Sequence, residues 1–109
     1  MAIETISNRY PQIKTTVTLT TPFVNACPHS GEPQAGSTIS VTYQPKDKLI
    51  ELHGVEKYLA ELSAGDDPLD LETVAQLVAM ACKDAIGPVE IKTVYKLRNH
   101  LEMICQVSL

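Results

Sequence analysis

The stretch Leu71-Glu72-Thr73-Val74-Ala75-Gln76-Leu77-Val78-Ala79-Met80-Ala81-Cys82-Lys83-Asp84-Ala85-Ile86-Gly87-Pro88-Val89-Glu90-Ile91-Lys92-Thr93-Val94-Tyr95-Lys96 carries two hydrophobic periods and the break between them. Leu71, Val74, Ala75, Val78, Ala81, Cys82 and Ala85 fall at helical spacing and form one apolar stripe. Gly87-Pro88 stops that helix, because glycine suits a helix C-terminus and proline cannot continue one. Beyond the stop the period becomes two: Val89, Ile91, Tyr95 and Leu97 alternate with Glu90, Lys92, Lys96 and Arg98, which predicts a half-buried strand. Cys82 lies in the helical stripe and reads as a core residue.

Downstream, Asn99-His100 allows a tight turn, and Leu101, Met103, Cys105, Val107 and Leu109 form the apolar face of a further strand. Cys105 therefore reads as packed rather than reactive. Upstream, Asp67-Pro68 predicts the helix start, with an N-cap acid followed by proline at the first helical position. Ser63-Ala64-Gly65-Asp66-Asp67 separates this helix from one of about three turns on Val55, Tyr58, Leu59 and Leu62. Earlier still the period is two. Ile39, Val41 and Tyr43 alternate with Thr38, Ser40 and Thr42, and Pro45 closes the strand. From Ile13, the apolar Val17, Leu19 and Phe23 alternate with Thr16, Thr18 and Thr20, and Pro22 marks an end or an edge. Residues 1–12 read as an ordered lead-in that ends in a turn over Asn8 to Pro11. The order strand, strand, helix, helix, strand, strand predicts an α+β fold. It is a four-stranded antiparallel sheet with both helices on one face, in a single domain spanning residues 1–109.

Composition narrows the function classes. At 44% hydrophobic with one Phe and no Trp, the core must be aliphatic. A domain of this size buries a limited fraction of its surface, so assembly into a homo-oligomer is an expectation. The net charge of −4 argues against a general nucleic-acid or anionic-membrane surface. Three cysteines form an odd count at no disulfide-like spacing, and no long apolar run is present, so a reducing cytoplasm is expected.

Between the first two strands lies Cys27-Pro28-His29-Ser30-Gly31-Glu32-Pro33-Gln34. Two prolines and a glycine stiffen this loop. A stiff polar loop suits a reactive thiol, which must be partly exposed and ionisable. It equally suits a turn that contains a small apolar cysteine, and the residues alone leave both readings standing.

The strand and helix order, with a Cys-Pro loop after the first strand, resembles the tunnelling fold of GTP cyclohydrolase I and the queuosine-pathway nitrile reductases. The nearer resemblance is to the 7-cyano-7-deazaguanine reductase family, whose pattern is Cys-Pro-x-Thr-Gly-Gln-Pro-Asp. Glu4-Thr5-Ile6-x-Asn8, and Tyr43-x-Pro45 running into Ile50-Glu51-Leu52, are similar to that family as well. The resemblance implies that Cys27 is the nucleophile that adds to a substrate nitrile as a thioimide, and that NADPH reduces the adduct to the 7-aminomethyl base. It implies that Glu72, with Leu71 beside it, anchors the base through the ring N–H and exocyclic amine, and that Glu51 and Leu52 contact substrate. A carboxylate at a helix start is also stabilised by the helix dipole alone. Arg98 falls on an arginine near the family's cofactor. Small-molecule purine-like bases are the implied ligands, and homo-oligomers with sites between subunits the implied assembly.

The chain departs from the family at three places. Gln34 stands where the family has its proton-donating aspartate, and an amide cannot deliver a proton; His29 and Glu32 are in the same loop. The cofactor motif Glu-Ser/Leu-Lys-Ser/Ala-apolar-Lys-x-aromatic reads Glu51-Leu52-His53-Gly54-Val55-Glu56-Lys57-Tyr58, without the motif lysines. The Arg-Gly-Gly turn reads Arg98-Asn99-His100. Short relatives without the cofactor motif convert the same nitrile to an amidine in tRNA, which is the second expectation. A base-binding protein without turnover is the third. No metal site is expected: Cys27 and His29 are two apart, Cys82 and Cys105 lie in apolar patterns, and four tetrahedral ligands do not assemble.

Overall fold

The structure is a computed structural model that describes residues 2–24, 31–65 and 69–109. Cys27, His29 and the Asp67-Pro68 pair lie outside the described residues. In chain order the elements are β1 (Thr5–Ser7), β2 (Val17–Pro22), β3 (Gln34–Tyr43), β4 (Lys48–Ile50), α1 (Gly54–Ser63), α2 (Leu71–Ile86), β5 (Val89–Lys96) and β6 (Glu102–Ser108). The main sheet has the order β2-β3-β5-β6, antiparallel throughout, as the sequence predicts.

Side chains alternate across this sheet with the strand period of two. Ile39, Val41 and Tyr43 on β3 and Val89, Ile91 and Tyr95 on β5 enter one hydrophobic cluster with Val55, Tyr58 and Leu59 of α1 and Leu71, Val74 and Val78 of α2. Both helices therefore serve the same face. The other face carries short polar side chains. Thr18 bonds Thr42 and Thr20 bonds Ser40 across the β2–β3 pair, each at 2.9 Å, so β-branched and hydroxyl residues support the ladder there.

Three boundaries differ from the expectation. The first long strand begins at Val17 rather than Ile13, because Val17 pairs with Tyr43, the last residue of β3 before Pro45 ends the ladder. Ile13 instead closes a turn onto the Tyr10 carbonyl at 3.1 Å. Helix α2 begins at Leu71 with Asp70 as its cap. The Asp70 carboxylate accepts the Thr73 N–H at 2.7 Å, which answers one of the free donors of the first turn. The lead-in is ordered as expected, but it also forms a strand. Thr5, Ile6 and Ser7 of β1 pair with Ile50, Leu49 and Lys48 of β4, two three-residue strands too short to show a period. The buried Tyr43 hydroxyl accepts the Ile50 N–H at 2.8 Å and ties this small sheet to the far end of β3.

Cys82 is fully buried in α2, and burial pushes its thiol up to about 12. Cys105, on β6, is half-buried and directs its sulfur to Met103 Sδ at 3.7 Å. In the folded protein at about pH 8, Cys82 is expected to resist iodoacetamide and to react fully once guanidinium unfolds the chain. Peptide mapping of the alkylated native protein checks this; a labelled Cys82 would contradict its place in the core. Among the described residues, no helix is long and apolar enough to cross a membrane.

Candidate functional site

Gln34, Leu71, Glu72 and Arg98 lie about the C-terminal end of β5, and Glu51 and Leu52 do not share these contacts. There the β3–β5 register runs from Gln34↔Lys96 to Thr38↔Val94, so β3 advances four residues while β5 advances two. This bulge re-aims the start of β3. Gly36, inside it, has φ +94, a left-handed backbone that glycine adopts without strain. Ser37 holds the bulge in place: its buried hydroxyl donates to the Gln34 carbonyl at 2.8 Å and accepts the Lys96 N–H at 2.7 Å. Phe23, at the end of β2, donates its N–H to the Ser37 carbonyl and sets its ring 6.2 Å from that of Tyr95. The residues that bracket the cysteine loop are thus fixed on both sides.

Glu32 is the hub of the polar groups here. Its Oε1 accepts from Gln34 Nε2 at 2.6 Å and lies 3.5 Å from Arg98 Nε, while Oε2 accepts the Arg98 backbone N–H at 3.0 Å. The bond from Gln34 and the contacts with Arg98 hold the Glu32 carboxyl below the ordinary carboxylate value. Gln34 Nε2 also donates to the Gly31 carbonyl at 2.7 Å. Arg98 opens the β5–β6 turn, in which Asn99 and His100 take φ values of 61 and 62. Both values lie in the left-handed region, which Asn and His tolerate better than most residues.

Tyr95 links this end of the sheet to α2. Its buried hydroxyl donates to the Leu71 carbonyl at 3.0 Å, which places Leu71 and Glu72 beside the end of β5. Leu71 is buried and belongs to the core, whereas Glu72 is exposed in the first helical turn. Glu51 and Leu52 lie elsewhere in the chain. They follow β4, whose Ile50 N–H is accepted by the side-chain hydroxyl of Tyr43, the last residue of β3. Glu51 Oε2 accepts the His53 N–H at 3.0 Å, and Leu52 is 71% exposed.

The two cations in the segments assigned to the cofactor are each met by a carboxylate of this chain. Lys57 Nζ lies 3.1 and 3.3 Å from the Glu4 oxygens, and Arg98 pairs with Glu32. Nearby, Glu56 lies 3.7 Å from His53 Nδ1. Each cation is paired within the chain and its side chain remains largely exposed. Among the described residues, no group of three or more His, Cys, Asp or Glu is gathered as metal ligands.

Sequence reading did not single out Ser37 or Tyr95 as site residues. Ser37 carries no signal beyond its place after Gly36, and Tyr95 reads as one more apolar strand residue. Glu32 is visible in the loop, but its pairing with Arg98, 66 positions away, is a product of the fold.

The four-stranded antiparallel sheet, the paired helices on one face and the polar cluster at the loop end of β3 and β5 make this an α+β protein compatible with the tunnelling type of fold. No protein-family profile matches the chain. Over 94 residues it is 31% identical to an NADPH-dependent 7-cyano-7-deazaguanine reductase of Chloroherpeton thalassium, covering 84% of this chain and 78% of that protein. The chain belongs to the 7-cyano-7-deazaguanine reductase family.

Proposed function

We propose that this protein processes the nitrile of 7-cyano-7-deazaguanine, or a closely similar base, through Cys27. Family membership is the observation that carries the reading, and the clustering of Gln34, Glu32 and Arg98 where the Cys27 loop rejoins the sheet supports it. In the first step the Cys27 sulfur bonds to the nitrile carbon, one C–N π bond breaks, and the thiol proton ends on nitrogen, giving a thioimide. Cys82 is sealed in the core and Cys105 faces Met103, so neither described thiol competes in a polar site.

Glu72 anchors the base. An exposed carboxylate beside the end of β5 can accept two N–H groups from a guanine-like edge. On this reading the site is completed by a second copy of the chain. Among the described residues β2 and β6 are the outer strands of the main sheet, and on this reading copies join edge to edge there, which removes exposed strand edges.

Family membership supports reduction with NADPH as the fate of the thioimide. The pairing of Lys57 with Glu4 favours a second reading, in which ammonia takes the thioimide to an amidine, on the free base or in tRNA, without NADPH. One experiment separates the readings. The protein is mixed with 7-cyano-7-deazaguanine and either NADPH or an ammonium salt, and adduct, NADPH absorbance and product are followed. Adduct with NADPH loss supports the reductase, and adduct with an amidine product supports the second reading. A bound base without adduct reduces the protein to a binder and overturns both.

A further inference from the structure

Resting on the nitrile reading for its ligand, we infer that Glu32 is a positioning residue that, anchored by Arg98, fixes the Gln34 amide in one orientation, so that this side chain meets a ligand with its oxygen only.

The geometry of the amide leaves one choice. Gln34 Nε2 lies 2.7 Å from the Gly31 carbonyl and 2.6 Å from Glu32 Oε1. A carbonyl and an ionised carboxylate are acceptors only, so both must face the NH₂ end of the amide. Turned over, the amide would set its own oxygen against two oxygens at those distances. Both Gln34 N–H groups are therefore committed inside the loop, and among the described residues no donor bonds its Oε1. Gln34 can accept a hydrogen bond from a ligand and cannot give one.

Glu32 is the charged one of the two acceptors that hold this orientation. Its side chain is 19% exposed while that of Arg98 is 64% exposed, so the carboxylate is the inner partner of the pair. It is gripped by the Arg98 backbone N–H as well as by Nε, so the β5–β6 turn is joined to the cysteine loop through it. Protonation of Glu32, or an amide in its place, would remove the charged acceptor and leave the Gly31 carbonyl alone to hold the NH₂ end. On the nitrile reading, the ligand group that suits a fixed acceptor is the imine N–H created when the thiol proton reaches nitrogen. Gln34 holds that N–H in place and takes no proton itself.

Isotope-labelled protein, titrated downward from neutral pH, tests the inference without any ligand. The Glu32 carboxyl is expected to titrate below 4.5, and the side-chain NH₂ signals of Gln34 to move with the same midpoint. In Glu32→Gln that shared midpoint disappears. Gln34 signals indifferent to the Glu32 titration would overturn the inference, and this wild-type arm stands even if the variant fails to fold. In a second arm, adduct formation with 7-cyano-7-deazaguanine is expected to be about tenfold slower in Glu32→Gln, the loss of one charge-assisted orientation. Equal rates would overturn the role toward the ligand. A wild type that forms no adduct counts against the nitrile reading, while the titration still decides the Glu32–Gln34 lock.

Discussion

Cys27→Ala is expected to abolish the covalent adduct with 7-cyano-7-deazaguanine, lowering its rate of formation by at least about three orders of magnitude. The size of the effect follows from the chemistry, since a nitrile carbon needs a soft, ionisable nucleophile and alanine offers none. Serine at the same position restores little, because a hydroxyl holds its proton near neutral pH where a thiol yields its own. Rapid-quench mass spectrometry of the variant beside wild type measures the loss. The two remaining cysteines serve as an internal control: Cys82 is buried and its thiol is pushed up to about 12, so residual adduct would have to arise at Cys105. Residual adduct at the wild-type rate would move the chemistry away from the loop.

Glu72→Gln is expected to weaken binding of the base by one to two orders of magnitude, the scale of a hydrogen-bonded charge lost from a recognition site. The substitution preserves shape and removes charge. As a residue in the first turn of α2, Glu72 also interacts with the helix dipole, and that interaction alone predicts a different pattern. Loss of the dipole contact lowers the melting temperature by about 2–5 °C and leaves binding unchanged. Titration calorimetry with the base, paired with thermal melting, separates the two. Weakened binding with a nearly unchanged melting temperature supports the anchor; the reverse assigns Glu72 to the helix alone.

The fold was legible wherever an element was long enough to repeat its period. The α2 stripe from Leu71 and the alternation on β5 each run for eight residues or more, and both are present as read. β1 and β4 escaped because three residues show no period, and their pairing joins segments more than forty positions apart. The start of α2 was misplaced because Asp67-Pro68 is the stronger local signal. The cap bond instead belongs to Asp70, directly before the first residue of the apolar stripe. Asn99-His100 reads as a tight turn, and both residues take the left-handed backbone.

The site was less legible than the fold. A motif likeness pointed to Cys27, Gln34 and Glu72, but it could not show that the Gln34 amide is already engaged by Glu32 and Gly31. Nor could it show that Lys57 and Arg98, the cations nearest the cofactor pattern, are each paired with an acid. The first comes from the local geometry of the loop and the second from tertiary neighbours. On the reading proposed above, the first confines Gln34 to accepting from a ligand.

The most direct test is to digest wild-type protein after exposure to 7-cyano-7-deazaguanine and locate the added mass by tandem mass spectrometry. Addition across a nitrile loses no atoms, so the account predicts a gain equal to the intact base on the peptide containing Cys27 and none on those containing Cys82 or Cys105. An unmodified Cys27 peptide, or the gain on Cys105 instead, would contradict it.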